Sequence, residues 1–291
     1  MFADPISRLR RFNRAVTSEL GVLDNSFLGR GRPLGAARVI HAIGPDGAEV
    51  GAIRNTLNID KALLSRLLKS LITEGLAELH EDPADARRRI ARLTPAGRAE
   101  LDAYNALSDA HARALLDRHP APGALLEAID LVASALARDR IGIVPADPRR
   151  DAARRCLEAY YEELAHRIAG GFDVTQSCDP DATDMTPPRG AFFLAVSDGL
   201  AVGCAGLKGS GGPVAEVKRL WVAPGARGLG LAGRLMRRVE DAAHDLGIAT
   251  LRLDTNSALP EAVALYRNAG WTEIDRFNDD PYPDIFFEKH L

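Results

Sequence analysis

The run Arg227-Gly228-Leu229-Gly230-Leu231-Ala232-Gly233 stands between a strand-like pattern, Val214 to Val222, and an amphipathic helical pattern, Leu231 to Leu246. Glycines at such a turn let the backbone approach an anion closely, because no Cβ intervenes. The first N–H groups of the following helix have no partner inside it, and the helix dipole adds to their pull on negative charge. The chemistry offered is the binding of a phosphate or pyrophosphate. Gly228-x-Gly230-x-x-Gly233 also fits a dinucleotide fingerprint, with Asp254 after the next strand as its ribose-binding acid. That fingerprint places its first glycine directly at a strand end. Here Ala223-Pro224-Gly225-Ala226-Arg227 intervene as a loop, and a repeated βαβ pattern is missing.

Arg227-x-x-Gly230-x-Ala232 after a strand resembles the acyl-CoA signature of the GNAT acetyltransferase superfamily. The residues downstream extend the likeness: a strand at Thr250 to Thr255, then the helix Pro260-Glu261-Ala262-Val263-Ala264-Leu265-Tyr266-Arg267-Asn268-Ala269-Gly270-Trp271, with proline near its start and glycine at its end. Ile285 to Lys289 closes the pattern as a last strand. The resemblance implies an α/β (α+β) fold with a mixed sheet and acetyl-CoA as co-substrate, with no metal. Arg227, Gly228, Leu229, Gly230, Leu231, Ala232 and Gly233 would hold the pyrophosphate, and the backbone around Leu220, Trp221 and Val222 would pair with the pantetheine arm. Tyr266 would stand beside the departing sulfur, as general acid or as hydrogen-bond donor. One position departs from the pattern: many relatives carry Asn seven residues before this tyrosine, where this chain has Leu259, and Asn256 lies three residues earlier.

An alkylamine has a pKa near ~10.4, so its proton must leave before it attacks a thioester. Glu216, near the start of the strand leading to the loop, is the candidate base, directly or through one water. A strand glutamate beside Lys218 and Arg219 is equally read as a solvated ion pair. For the acceptor, Tyr160, Glu163 and Arg167 on a helix spanning 151–168, and Asp173 after it, are candidates to line a pocket for a small amine or amino acid. Residues 170–189 are polar and rich in Asp and Pro, which suggests a mobile loop over the substrate. Ile141 to Val144 reads as a strand, and Phe192 to Val196 with Val202 to Leu207 reads as a hairpin around Asp198-Gly199.

The first 140 residues are mostly helical by pattern. Ile6, Leu9, Phe12, Val16 and Leu20 form one apolar stripe. Short helices follow at about Leu34 to Ile43 and Glu49 to Leu57. Asp60 then caps a third helix that buries Leu63, Leu64, Leu67, Leu68, Leu71 and Ile72 and presents Ser65, Arg66 and Lys69. Leu76 to His80 and Arg87-Arg88-Arg89-Ile90-Ala91-Arg92-Leu93 make a hairpin with arginines just past its tip. With Leu93-Thr94-Pro95-Ala96-Gly97-Arg98, this stretch resembles the MarR family of winged-helix regulators. The resemblance implies a mainly-α winged helix-turn-helix domain that forms a homodimer through the first stripe and the helices at Ala99 to His119 and Leu125 to Leu136. Its partner would be double-stranded DNA carrying a pseudo-palindromic operator. Ser65, Arg66 and Lys69 would enter the major groove, and Arg87, Arg88 and Arg89 would hold the wing to phosphates.

With 291 residues, 46% hydrophobic and 26% charged, the chain suits two domains, expected at 1–140 and 141–291. The net charge of −3 excludes a uniformly basic nucleic-acid coat, so DNA binding must come from local clustering. No apolar run reaches membrane-spanning length and no signal peptide is evident, and Cys156, Cys178 and Cys204 have no metal or disulfide spacing. A cytoplasmic protein without membrane partner is expected. The reading is a transcriptional regulator that is also an acetyl-CoA-dependent N-acetyltransferase. Its alternative is a regulator whose second domain senses acyl-CoA or ligand without turnover.

Overall fold

The computed structural model describes residues 4–82, 85, 87–177 and 182–291. Two compact units divide the chain, Met1–Pro120 and Ala121–Leu291.

The first unit contains α1 (Pro5–Glu19), α2 (Leu34–Ile43), β1 (Ala48–Glu49), α3 (Val50–Leu57), α4 (Lys61–Thr73), β2 (Ala77–Glu81), β3 (Arg89–Leu93) and α5 (Pro95–Asp117). α3 and α4 are the two arms of a helix-turn-helix. The turn is made by Asn58 in the left-handed conformation, and Asp60 caps α4 by accepting from Leu63 N at 2.8 Å. Leu64, Leu68 and Leu71 of α4 pack into a core with Val39, Ile40 and Ile43 of α2. Ile72, expected inside, is 38% exposed, at the edge of the apolar stripe in the last turn of α4. β2 and β3 form the expected hairpin, and β1 joins β3 as a short third strand. Pro83, Ala84 and Ala86, at the hairpin tip, lie outside the described residues.

The Leu-Thr-x-x-Gly-Arg segment has a mechanical explanation. Thr94 Oγ1 donates to Gly75 O at 2.6 Å and accepts from Gly97 N at 3.0 Å, capping α5 while tying it to the end of α4. A Cβ on Gly97 would fall 1.9 Å from Leu76 O, so no side chain fits where α5 crosses the base of the wing. Glu100 of α5 then accepts from Arg30 and Arg32, at 2.5 and 2.8 Å. α1 buries none of its residues, and Ile6 and Leu9 are more than half exposed.

The second unit contains α6 (Pro122–Ala137), β4 (Gly142–Pro145), α7 (Asp151–Arg167), β5 (Ala191–Ser197), β6 (Leu200–Gly209), β7 (Val214–Val222), α8 (Leu231–Asp245), β8 (Thr250–Thr255), α9 (Pro260–Asn268), β9 (Thr272–Ile274) and β10 (Ile285–His290). Its seven strands lie in the order β4-β5-β6-β7-β8-β10-β9. Every described pairing is antiparallel except β7 with β8, so the sheet is mixed. Along β5 the side chains alternate between two cores. Phe193 and Ala195 pack into the cluster that holds α8 and Tyr266, and Phe192 and Leu194 into the one that holds α7.

Of the segment 170–189, expected as a mobile loop over the substrate, Ala182 and Met185 are buried in the α7 core, which anchors that part of it. Cys178 lies outside the described residues. α6, expected with the first domain, packs on the short turn Pro224–Ala226 instead, which places it in the second unit. No described helix is long and apolar enough to cross a membrane.

Candidate functional site

β7 leaves its parallel partner early. Val214, Ala215 and Glu216 pair with Thr250, Leu251 and Arg252, and the ladder stops there. On its other side β7 stays paired with β6 up to Val222, but the register slips: Cys204 and Gly206 face Trp221 and Lys218, so β7 carries one extra residue. Arg219 occupies that bulge with φ of 59°, a conformation that costs a residue with a Cβ about 1–3 kcal/mol. A bulge bends its strand and re-aims the neighbouring side chains. The β7–β8 edge beyond Glu216 is thereby opened along Leu220 and Trp221, and the Val222 carbonyl there accepts from Arg227 Nε at 3.0 Å.

Two cavities meet at this opening, and Tyr160, Leu164, Leu220 and Leu259 line both. The larger, about 360 Å³, is walled by Trp221 and Val222 and by Arg227, Gly228, Gly230, Leu231, Ala232 and Gly233. Leu229 packs inward against the core. Gly228 and Gly230 have φ of 76° and 75°, and neither would find an atom within 4 Å of an added Cβ. Gly230 is the N-cap of α8 and supplies no capping side chain. The first amides of α8 and an open glycine turn therefore face one space, the requirement for seating a pyrophosphate. The residues present fit acyl-CoA.

The smaller cavity, about 90 Å³, includes Tyr266, Lys218, Asp254, Asn256, Asp280 and Tyr282 in its lining. Tyr266 is 6% exposed. Burial, with Tyr160 and the Asp254 carboxylate nearby, pushes its hydroxyl well above the usual tyrosine value, so it remains protonated at neutral pH. Asp254 Oδ2 accepts from Lys218 Nζ and from Asn278 Nδ2, each at 2.6 Å. Lys218 also lies 3.1 Å from Glu216 Oε2. Burial opposes the charge on Lys218, but the two carboxylates outweigh it and raise its pKa.

Glu216, the base candidate, does not line the Tyr266 cavity. It borders a third one of about 330 Å³ with Arg189, Lys208 and Arg252, and its link to Tyr266's cavity runs through Lys218 and Asp254. Strand register explains this: Glu216 still sits in the paired part of β7, before the bulge. Asp254 was visible in the sequence only as a possible ribose acid. A sequence signal existed in the opposite charges at Glu216/Lys218 and Arg252/Asp254, but reading it needs the parallel register.

Among the acceptor candidates, Tyr160 lines both cavities, whereas Glu163 and Arg167 line only the larger. Glu163 accepts from Trp221 Nε1 at 2.7 Å, Arg227 Nη2 at 2.5 Å and Arg167 Nη1 at 3.0 Å. Burial opposes its ionisation, yet these three bonds hold its carboxyl below the ordinary value. Asp173 lines neither cavity. Its carboxylate accepts from Thr175 N and Oγ1, capping a short turn, and its backbone N–H donates to the Tyr282 hydroxyl at 2.8 Å. Asn256 is committed to its own turn, donating to Tyr282 O at 2.6 Å and accepting from Ala258 N at 2.8 Å.

In the first unit, Ser65, Arg66 and Lys69 share the exposed face of α4, opposite its buried leucines. Arg87, Arg88 and Arg89 are exposed where the wing returns. Arg88 lies 3.5 Å from Asp85, and Arg89 lies 3.2 Å from Glu81, exposed pairs that contribute little to stability.

Residues 151–271 match the acetyltransferase (GNAT) family, and residues 30–88 match the MarR family. An uncharacterized N-acetyltransferase of Schizosaccharomyces pombe, C1271.07c, is 34% identical over 146 residues, covering 48% of this chain and 86% of that protein. The IAA acetyltransferase of Azospirillum brasilense is 31% identical over 156 residues, covering 52% of this chain and 98% of that protein. The crystal structure of a putative acyl-CoA N-acyltransferase from Klebsiella pneumoniae is similar over 52% of this chain and 97% of its own, with 26% identity and a TM-score of 0.42. The chain belongs to the GNAT acetyltransferase family and is fused to a MarR-type winged helix.

Proposed function

We propose that this chain transfers the acetyl group of acetyl-CoA to the amino group of a small amine or amino acid, and that it also regulates transcription as a DNA-binding homodimer in the cytoplasm. The observation that carries the enzymatic half is the junction of the two cavities at the opening between β7 and β8. One cavity suits the cofactor's pyrophosphate and pantetheine, and the other holds Tyr266 and a carboxylate. When bound, the cofactor supplies an activated thioester. The chain's own residues aim it, shield it and manage protons.

Tyr266 serves the departing sulfur as a hydrogen-bond donor. Its pKa lies above the usual ~10, and a thiol's near ~8.5, so full proton transfer from Tyr266 to the thiolate runs uphill. Donation without transfer stabilises the developing charge at no such cost. The amine's proton goes to the Glu216–Lys218–Asp254 cluster. Asp254 lines the cavity and takes both its described hydrogen bonds on Oδ2, which leaves Oδ1 for the acceptor or one bridging water. Glu216 then acts at the far end of the cluster. Tyr160 belongs to the acceptor side, with Glu163 and Arg167 at its border with the cofactor.

In the regulatory half, the exposed apolar stripe of α1 is the dimer surface. Two copies of α4 then present Ser65, Arg66 and Lys69 to successive major grooves, with Arg87, Arg88 and Arg89 on phosphates. The regulatory module ends near Pro120, and the enzymatic module begins with α6.

The test is thiol release from acetyl-CoA against a panel of amines and amino acids, including IAA because one relative carries that name. Turnover on one class is expected. Tyr266→Phe should lose about 10² in rate, and Asp254→Asn more than Glu216→Gln. Tight acetyl-CoA binding with no turnover on any acceptor would replace the enzyme by a sensor.

A further inference from the structure

Resting on the acyl-CoA reading above, we propose that Glu163 is a positioning residue of the cofactor site that acts through Arg227. Its carboxylate, 19% exposed, collects donors from three segments: Trp221 at the end of β7, Arg227 at the head of the glycine loop, and Arg167 one turn along α7. Arg227 also donates Nε to Val222 O at 3.0 Å, closing a ring around the turn that joins β7 to the loop. Arg167 extends the chain to Ala258 O at 2.9 Å and to the Glu261 carboxylate.

Arg227, Glu163, Arg167 and Glu261 together carry no net charge, so this side-chain cluster adds no net attraction for a pyrophosphate. The pull comes instead from the backbone amides of the loop and of the first turn of α8. Amides bind an anion only when they are aimed, and a loop with two glycines at positive φ has many other conformations open to it. The Glu163–Arg227 contact removes those conformations. It is charge-assisted and partly desolvated, the strong kind of hydrogen bond. α7 also presents Tyr160 and Leu164 to both cavities, so the residue that aims the cofactor loop rides on the helix that walls the acceptor.

The experiment is titration calorimetry of CoA into the full chain, for wild type, Glu163→Gln, Arg227→Met and the double variant, with melting curves to confirm folding. Glu163→Gln should weaken CoA about tenfold, but less than twofold in the Arg227→Met background. In steady state its KM for acetyl-CoA should rise while the acceptor KM stays within about twofold. Arg227→Lys, which keeps the charge but loses the fork, should match Glu163→Gln within about threefold and serves if Glu163→Gln does not fold. Equal losses in both backgrounds, tighter CoA binding by Glu163→Gln, or a rise confined to the acceptor KM would overturn the proposal. A wild-type chain that binds no CoA would instead overturn the acyl-CoA reading on which it rests.

Discussion

Gly225 gives a steric test of how α6 seats in the enzyme unit. It lies in the turn Pro224–Ala226, one residue pair before Arg227, and α6 packs on that turn. A Cβ added there would sit 2.9 Å from Asp130 Cβ and 3.0 Å from both Asp130 C and Leu131 N. Carbon atoms in a packed interior rest at about 3.5–4.0 Å, so the overlap is roughly half an ångström or more against three atoms at once. Two of the three are helix backbone, and the third is a Cβ that cannot rotate away. The backbone of Gly225 itself is not in the left-handed region, so alanine there costs nothing conformationally and the effect isolates the clash. Overpacking of this kind costs about 1–3 kcal/mol, or roughly 3–10 °C in Tm for a unit of this size. Gly225→Ala should therefore lower the melting temperature of the second unit by that amount. It should also raise amide exchange across 122–137, because the cheapest relief is for α6 to lift off the turn. Hydrogen exchange and calorimetry on the same sample read both effects. A variant with wild-type Tm and unchanged protection of α6 would refute the reasoning.

Three further outcomes are expected. The Glu261 carboxyl is held at about 2, chiefly by its hydrogen bond from Arg167. A depressed folded pKa adds stability that is complete above the unfolded value near ~4.3 and is lost as pH falls toward 2. A carboxyl carbon NMR titration should place its midpoint near pH 2 in wild type and near the free value in Arg167→Met; a wild-type midpoint above pH 4 would count against the clasp between α7 and α9. On DNA, Arg88→Ala should weaken binding about equally across sequences and reduce the salt slope by about one. Arg66→Ala should instead cost about 1–3 kcal/mol at the operator and relax sequence choice, read by salt-dependent fluorescence anisotropy on matched and scrambled sites. Unchanged retention in both variants would leave the winged helix without a DNA role.

The amino-acid sequence by itself determined most of the elements. The alternation from Val214 to Val222, the capping Asp60 and the proline–glycine bracket of α9 each specify local structure through contacts within a few residues. The glycine loop was legible for the same reason, since a turn at positive φ leading into a helix is a local demand. β9, three residues long, and β1, two residues long, carried no period to detect. What only the tertiary structure decided is which side chains share a space. The bulge at Arg219 and the parting of β7 from β8 put Lys218 and Asp254 in the Tyr266 cavity and left Glu216 in the paired part of the strand. Glu163, a plausible acceptor ligand from its helix alone, meets Trp221 and Arg227 more than fifty residues away. α6 settles on the turn before the cofactor loop because a glycine there leaves room for a helix backbone. Periodicity reports neighbours along the chain, whereas register, bulges and close backbone approach are set by partners distant in sequence, and those partners decide where the chemistry sits.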